Sequence, residues 1–159
     1  MRRSLFRAVP VIAALLGGVR LAGADAAQER DVVEAVLKQQ IQEHLDASER
    51  ARGTVVCVGV TGIAEPTVAG ELLARLAGDK SVRRLADCER RPEGAVEIAT
   101  ARAAFIVTAG PIEWIAADEA WVAVAYYRTK VLSAQRRYRV VRERDGWVSL
   151  GPIVKDGPA

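Results

Sequence analysis

The chain has 159 residues, with 23 basic and 20 acidic side chains, one histidine and two cysteines. This composition suits one globular domain with a sizeable core. It excludes a zinc site built from histidine and cysteine, because one histidine and two widely separated cysteines cannot complete one. The net charge of +3 is a poor guide to partners, as the N-terminal segment shows.

Arg2, Arg3 and Arg7 form a positive start, Ala8 to Gly18 is an uncharged and largely apolar run, and Arg20 interrupts it. Ala22-Gly23-Ala24 and Ala24-Asp25-Ala26 both offer the small-x-small pattern of a signal-peptide cut, and the expected cut follows Ala26. The rival, a membrane anchor, needs about 20 apolar residues, and this run is shorter and holds an arginine. The Arg2-Arg3 pair raises twin-arginine export, but Ser4-Leu5-Phe6 fits that signal poorly. No cysteine lies near the cut, which argues against a lipid anchor. Residues 1–26 are therefore expected to be a signal peptide, 27–152 one domain and 153–159 a tail. The mature chain would be periplasmic or secreted, with no transmembrane span. Removing the signal leaves equal numbers of basic and acidic residues. Nucleic-acid binding loses its main support with the basic surplus.

Residues 28–50 read as one helix, since Val33, Val36, Leu37, Ile41 and Leu45 form an apolar stripe opposite Glu34, Lys38 and Glu43. Arg52-Gly53 ends it. Thr54 to Val60 is β-branched and nearly all apolar, as a strand buried on both faces would be. Glu65-Pro66-Thr67 opens a second helix with Val68, Leu72, Leu73 and Leu76 on its buried side, and Gly78 caps it. Ser81 to Cys88 is expected to return past the first strand and bring Cys88 to Cys57. In an oxidising compartment such a pair forms a disulfide, and the spacing lacks the Cys-x-x-Cys of a redox or metal pair.

Residues 95–108 suggest a long strand, and Gly110-Pro111 is expected to turn the chain. Trp121 to Arg128 and Gln135 to Glu143 follow as strands, with Tyr138 and Val140 on one face and Arg137 and Arg139 on the other. Asp145-Gly146 is a tight-turn signal, Trp147 to Leu150 pairs back, and the tail from Gly151 is rich in glycine and proline. Helices followed by a strand meander indicate an α+β fold. The expected architecture is an N-terminal helix and a second short helix on a curved, mostly antiparallel sheet of about five to six strands.

Val56-Cys57-Val58, Glu65-Pro66-Thr67, Leu72 to Leu76, Val82-Arg83 and Asp87-Cys88 resemble a pattern in small exported bacterial proteins of unknown function. Tyr138-Arg139-Val140-Val141-Arg142 with Asp145-Gly146-Trp147 resembles the last hairpin of that group. It is also similar to the end of cystatin-like and nuclear-transport-factor-like cone folds. The resemblance implies a curved sheet wrapped on a helix and no particular activity. Protease inhibition would need a Gln-x-Val-x-Gly loop, and Pro66-Thr67-Val68-Ala69-Gly70 has proline in place of the glutamine.

No catalytic residue, cofactor or metal ligand emerges. His44 falls on the apolar stripe, where it reads as a packed histidine or as a general base facing a pocket with Tyr126 and Tyr127. No serine sits in a Gly-x-Ser-x-Gly turn, and Asp79 breaks the Gly-Lys adjacency of a phosphate loop. Glu113, Asp118 and Glu119 lack the spacing of a calcium loop and read as a solvated connection.

Residues 128–144 are the most uneven stretch. Arg128, Lys130, Arg136, Arg137, Arg139, Arg142 and Arg144 are opposed there by Glu143 alone. Arg128, Arg137 and Arg139 are the candidate interaction surface for an acidic protein or an anionic envelope component. The bland counterpart is a solvated sheet face or an edge that charge protects from pairing. The expected function is an exported binding domain without catalytic activity. The alternative is a small enzyme or ligand carrier with a cavity near His44.

Overall fold

The computed structural model describes residues 25–63 and 66–153. The expected signal segment up to residue 24, and the tail after Ile153, lie outside the described residues. Helix α1 spans Ala26–His44 and buries Val32, Val33, Val36, Leu37, Gln40 and Ile41. Asp25 caps it, its carboxylate accepting from the Gln28 N–H at 2.7 Å.

The helix expected over 28–50 is broken. After Leu45, Asp46 takes an extended backbone and its carboxylate accepts from the Glu49 N–H at 2.8 Å. A new N-cap thus starts α2 (Ala47–Ala51), because a short acidic side chain can satisfy the free amides of a fresh first turn.

Strand β1 (Val55–Val60) is buried along nearly its whole length, as expected. Helix α3 (Pro66–Leu76) then buries Val68, Leu72 and Leu76. The segment Ser81 to Cys88 is divided into β2 (Val82–Arg84), a 3-10 turn (Leu85–Asp87) and the start of β3 (Cys88–Arg91). Strand β4 (Gly94–Glu97) pairs antiparallel with β3.

The single strand expected over 95–108 is therefore two strands. The chain turns between them because the Glu97 carboxylate gathers Thr100 Oγ1 and the Arg102 guanidinium. Strand β5 (Ala104–Ala116) runs straight through Gly110-Pro111, where a turn is expected from sequence. That dipeptide makes an irregularity in register, with a cis bond and a Gly110 φ of +109°. A Cβ at Gly110 would lie 1.7 Å from the Thr61 carbonyl oxygen, so only glycine lets the two segments pass. The reversal comes later, at Ala117-Asp118, before β6 (Glu119–Tyr127). Strands β7 (Ser133–Glu143) and β8 (Gly146–Pro152) complete the meander. Gly151 and Pro152, read from sequence as the start of a glycine- and proline-rich stretch, belong to β8, and the Ile153 N–H donates to the Arg137 carbonyl at 2.7 Å.

The six-stranded sheet has the order β2-β1-β5-β6-β7-β8, and β3-β4 forms a separate hairpin. β1 runs parallel to β2 and β5, and the pairs from β5 to β8 are antiparallel. The fold is α+β, with three helices packed on a curled, mostly antiparallel sheet. Alternation along the strands sends Val56, Val58, Phe105, Val107, Val122, Val124, Tyr138 and Val140 into one core with α1 and α3. On the opposite face a smaller core of Val55, Cys57, Ala95, Ala104 and Ile106 lies under the β3-β4 hairpin, beside Cys88 and Tyr127. Cys57 and Cys88 form a disulfide that fastens this hairpin to β1.

Candidate functional site

The helices cover the inner face of the sheet, and the β3-β4 hairpin covers only the part of the outer face next to β1. The rest of the outer face of β5 to β8 is uncovered among the described residues. Trp121 on β6 sits opposite Glu113 on one side and Arg139 on the other. Arg137 reaches across β6 to Glu113, with 3.1 Å between Nη1 and Oε2, and its guanidinium lies 5.9 Å from the centre of the Trp121 ring. Arg139 holds Glu119 through two hydrogen bonds of 2.9 and 3.0 Å. Those bonds lower the Glu119 carboxyl from its ordinary value. Ile115, Val148 and Leu150 are exposed and fall on this face by alternation.

Glu113, Asp118 and Glu119 are thus a β5 residue, a turn residue and a β6 residue, correcting their reading as one connection. No group of three potential metal-binding side chains occurs among the described residues. Sequence reading found Arg137 and Arg139 but missed Trp121, Glu113 and Glu119 as their partners. The two-residue alternation was visible, whereas the register that juxtaposes them needed the long β5.

Arg128 is separate from the other two. Its Nη2 meets Glu49 Oε1 at 3.0 Å, and its guanidinium lies 4.5 Å from the centre of the Phe105 ring. Glu49 is buried and also accepts from Thr54 Oγ1 at 2.6 Å. The Thr54 hydrogen bond, with help from Arg128, holds its carboxyl below the usual range against the opposing effect of burial. Arg128 therefore ties the meander to α2.

His44 stacks on Phe105 at 4.8 Å and meets Tyr126 at 5.0 Å. Burial lowers its pKa, Glu43 opposes, and Arg128 and Arg136 reinforce the shift. Tyr138, buried nearby, has its hydroxyl pushed up, chiefly by burial. The structure thus brings His44 and Tyr126 together and adds Phe105 and Tyr138. Tyr127 lies on the opposite face against the disulfide core, with the Arg90 guanidinium 4.7 Å from its ring centre. Adjacent strand residues point to opposite faces, so the expected trio cannot share one pocket. Two surface grooves, of about 420 Å³ beside Arg83 and Glu97 and about 310 Å³ between Lys38 and Arg75, do not include His44.

No helix among the described residues is long and apolar enough to cross a membrane. In comparisons with known proteins the chain matches no family model, no curated protein and no solved structure.

Proposed function

We propose that the chain is exported and acts outside the cytoplasm as a binding domain, docking an acidic partner on the outer face of β5 to β8. The observation that carries this is an uncovered sheet face on which Trp121 is flanked by Arg137 and Arg139. Tryptophan and arginine are the residue types that dominate protein interfaces. Glu113 and Glu119 hold the two guanidinium groups extended over the sheet. Solvent screens exposed pairs of this kind, so a partner's carboxylates can replace those glutamates at little cost.

Arg137→Glu combined with Arg139→Glu should leave the fold intact, because both side chains are at least half exposed. The immobilised wild type should retain salt-eluted partners from an envelope extract, and the double variant should lose them. Equal capture by both would reject the outer-face reading.

The export reading is supported by the N-terminal segment and by the disulfide, which suits an oxidising compartment. Cleavage after Ala24 keeps Asp25, whereas cleavage after Ala26 discards it. The mass of the exported protein decides the cut: the expected chain starts at Ala27, and one starting at Asp25 would keep the α1 cap. Asp25→Ala should cost about 1 kcal/mol in urea unfolding.

A further inference from the structure

We infer that the tip of the β6-β7 hairpin docks on an anionic lipid surface. The Arg128 N–H donates to the Leu132 carbonyl at 2.9 Å, and the Leu132 N–H donates to the Thr129 carbonyl at 3.2 Å. These bonds close a tight turn with Lys130 and Val131 at its apex. Val131 is 88% exposed and Leu132 is 52% exposed. The turn is hydrogen bonded, so the two apolar side chains are held outward instead of folding back onto the core.

Charge supplies the second observation. No acidic residue occurs between Glu119 and Glu143. Lys130 stands at the apex of the turn and Arg128 at its base, with Arg136 further along β7, while the β3-β4 turn brings Glu93 beside the base, where Gly94 packs on the Arg128 carbonyl. Arg128 is engaged by Glu49, while Lys130 and Arg136 form no ion pair among the described residues. An apolar tip that carries the unpaired Lys130 at its apex matches a bilayer whose headgroups are anionic and whose acyl boundary lies just below them.

A folded protein partner fits less well. A stable protein interface covers about 800 Å² on each side, and two adjacent side chains at a turn offer far less. A bilayer needs no complementary shape. The tip lies apart from Trp121, so this inference stands independently of the outer-face reading.

The test is flotation of the disulfide-bonded protein with vesicles. Wild type should float with vesicles containing phosphatidylglycerol at low salt and stay behind with pure phosphatidylcholine. Val131→Asp combined with Leu132→Asp should weaken flotation by more than about ten-fold, since it replaces the buried apolar contact with charge. Lys130→Glu should weaken it several-fold. Both changes lie on exposed residues, so circular dichroism should be unchanged. Val148→Ser combined with Leu150→Ser, on the outer face, should float as wild type does.

Absent flotation of the wild type would overturn the inference, as would equal flotation of the tip variant or loss in the outer-face variant. The Arg137→Glu and Arg139→Glu variant should float as wild type does whether or not it still captures partners, and loss of its flotation would overturn the inference.

Discussion

Replacing Cys57 and Cys88 together with alanine is expected to lower the unfolding free energy by about 3–4 kcal/mol. The cross-link spans a sequence separation of 31 residues, and closing a loop of that length removes chain entropy from the unfolded state. For a domain of this size the loss corresponds to a fall of about 10–15 °C in melting temperature. Cys57 is fully buried at the centre of β1, so alanine is the appropriate substitute, whereas serine would add a buried hydroxyl. Amide exchange should rise first in β3 and β4, because this two-stranded hairpin has little core of its own. Urea unfolding of the oxidised wild type, the reduced wild type and the double variant measures the effect. A loss below about 1 kcal/mol in both altered forms would contradict the entropic account.

Glu97→Gln is expected to cost about 2–3 kcal/mol. Glu97 is 4% exposed on β4, and its carboxylate accepts from Thr100, Arg83 and Arg102. Burial alone would raise its pKa, but those hydrogen bonds outweigh it and hold the group at about 2, against an ordinary 4.5. The sign of the pH dependence follows. A carboxylate depressed in the folded state stabilises above its unfolded pKa and loses that contribution as the pH falls through the folded one. The Glu97 contribution should therefore be complete above pH 4.5 and disappear toward pH 2. It amounts to at most about 3 kcal/mol. Urea unfolding across that range should show a shallower acid slope in Glu97→Gln than in the wild type. Identical slopes would remove Glu97 from the acid response. Both Glu97 and the disulfide anchor the same hairpin, so combining the changes should cost less than the two separate losses added together.

Much of the fold was legible from residue pattern. The stripe Val33, Val36, Leu37, Ile41 marked α1, and the β-branched run ending at Val60 marked a strand buried on both faces. The Asp145-Gly146 turn and its flanking strands were also apparent. These signals are local: the spacing of apolar side chains identifies a buried face without reference to the rest of the chain. The errors fell where a short-range signal met a long-range contact. Gly110-Pro111 has the composition of a turn, yet it continues β5 because the chain passes close to Thr61. Glu97 falls inside the run that reads as one strand over 95–108, and its carboxylate instead gathers Thr100 and Arg102 at the turn into β5. The break before α2 was readable in principle, since Asp46 precedes Glu49 by the three residues of a capping pattern.

The candidate surface shows the same division. Arginine enrichment and face alternation were sequence properties. That Arg137 and Arg139 share an uncovered face with Trp121, that Arg128 departs to Glu49, and that Tyr127 turns away from His44 depend on strand register and on which face the helices cover. By itself the sequence determined the helical stripe, the buried first strand, the C-terminal hairpin and the pairing of its two cysteines, because each rests on apolar spacing, turn chemistry or the absence of another partner. Only the tertiary structure decided where β5 begins and ends and which charges are already paired, because those depend on atoms brought together from distant parts of the chain.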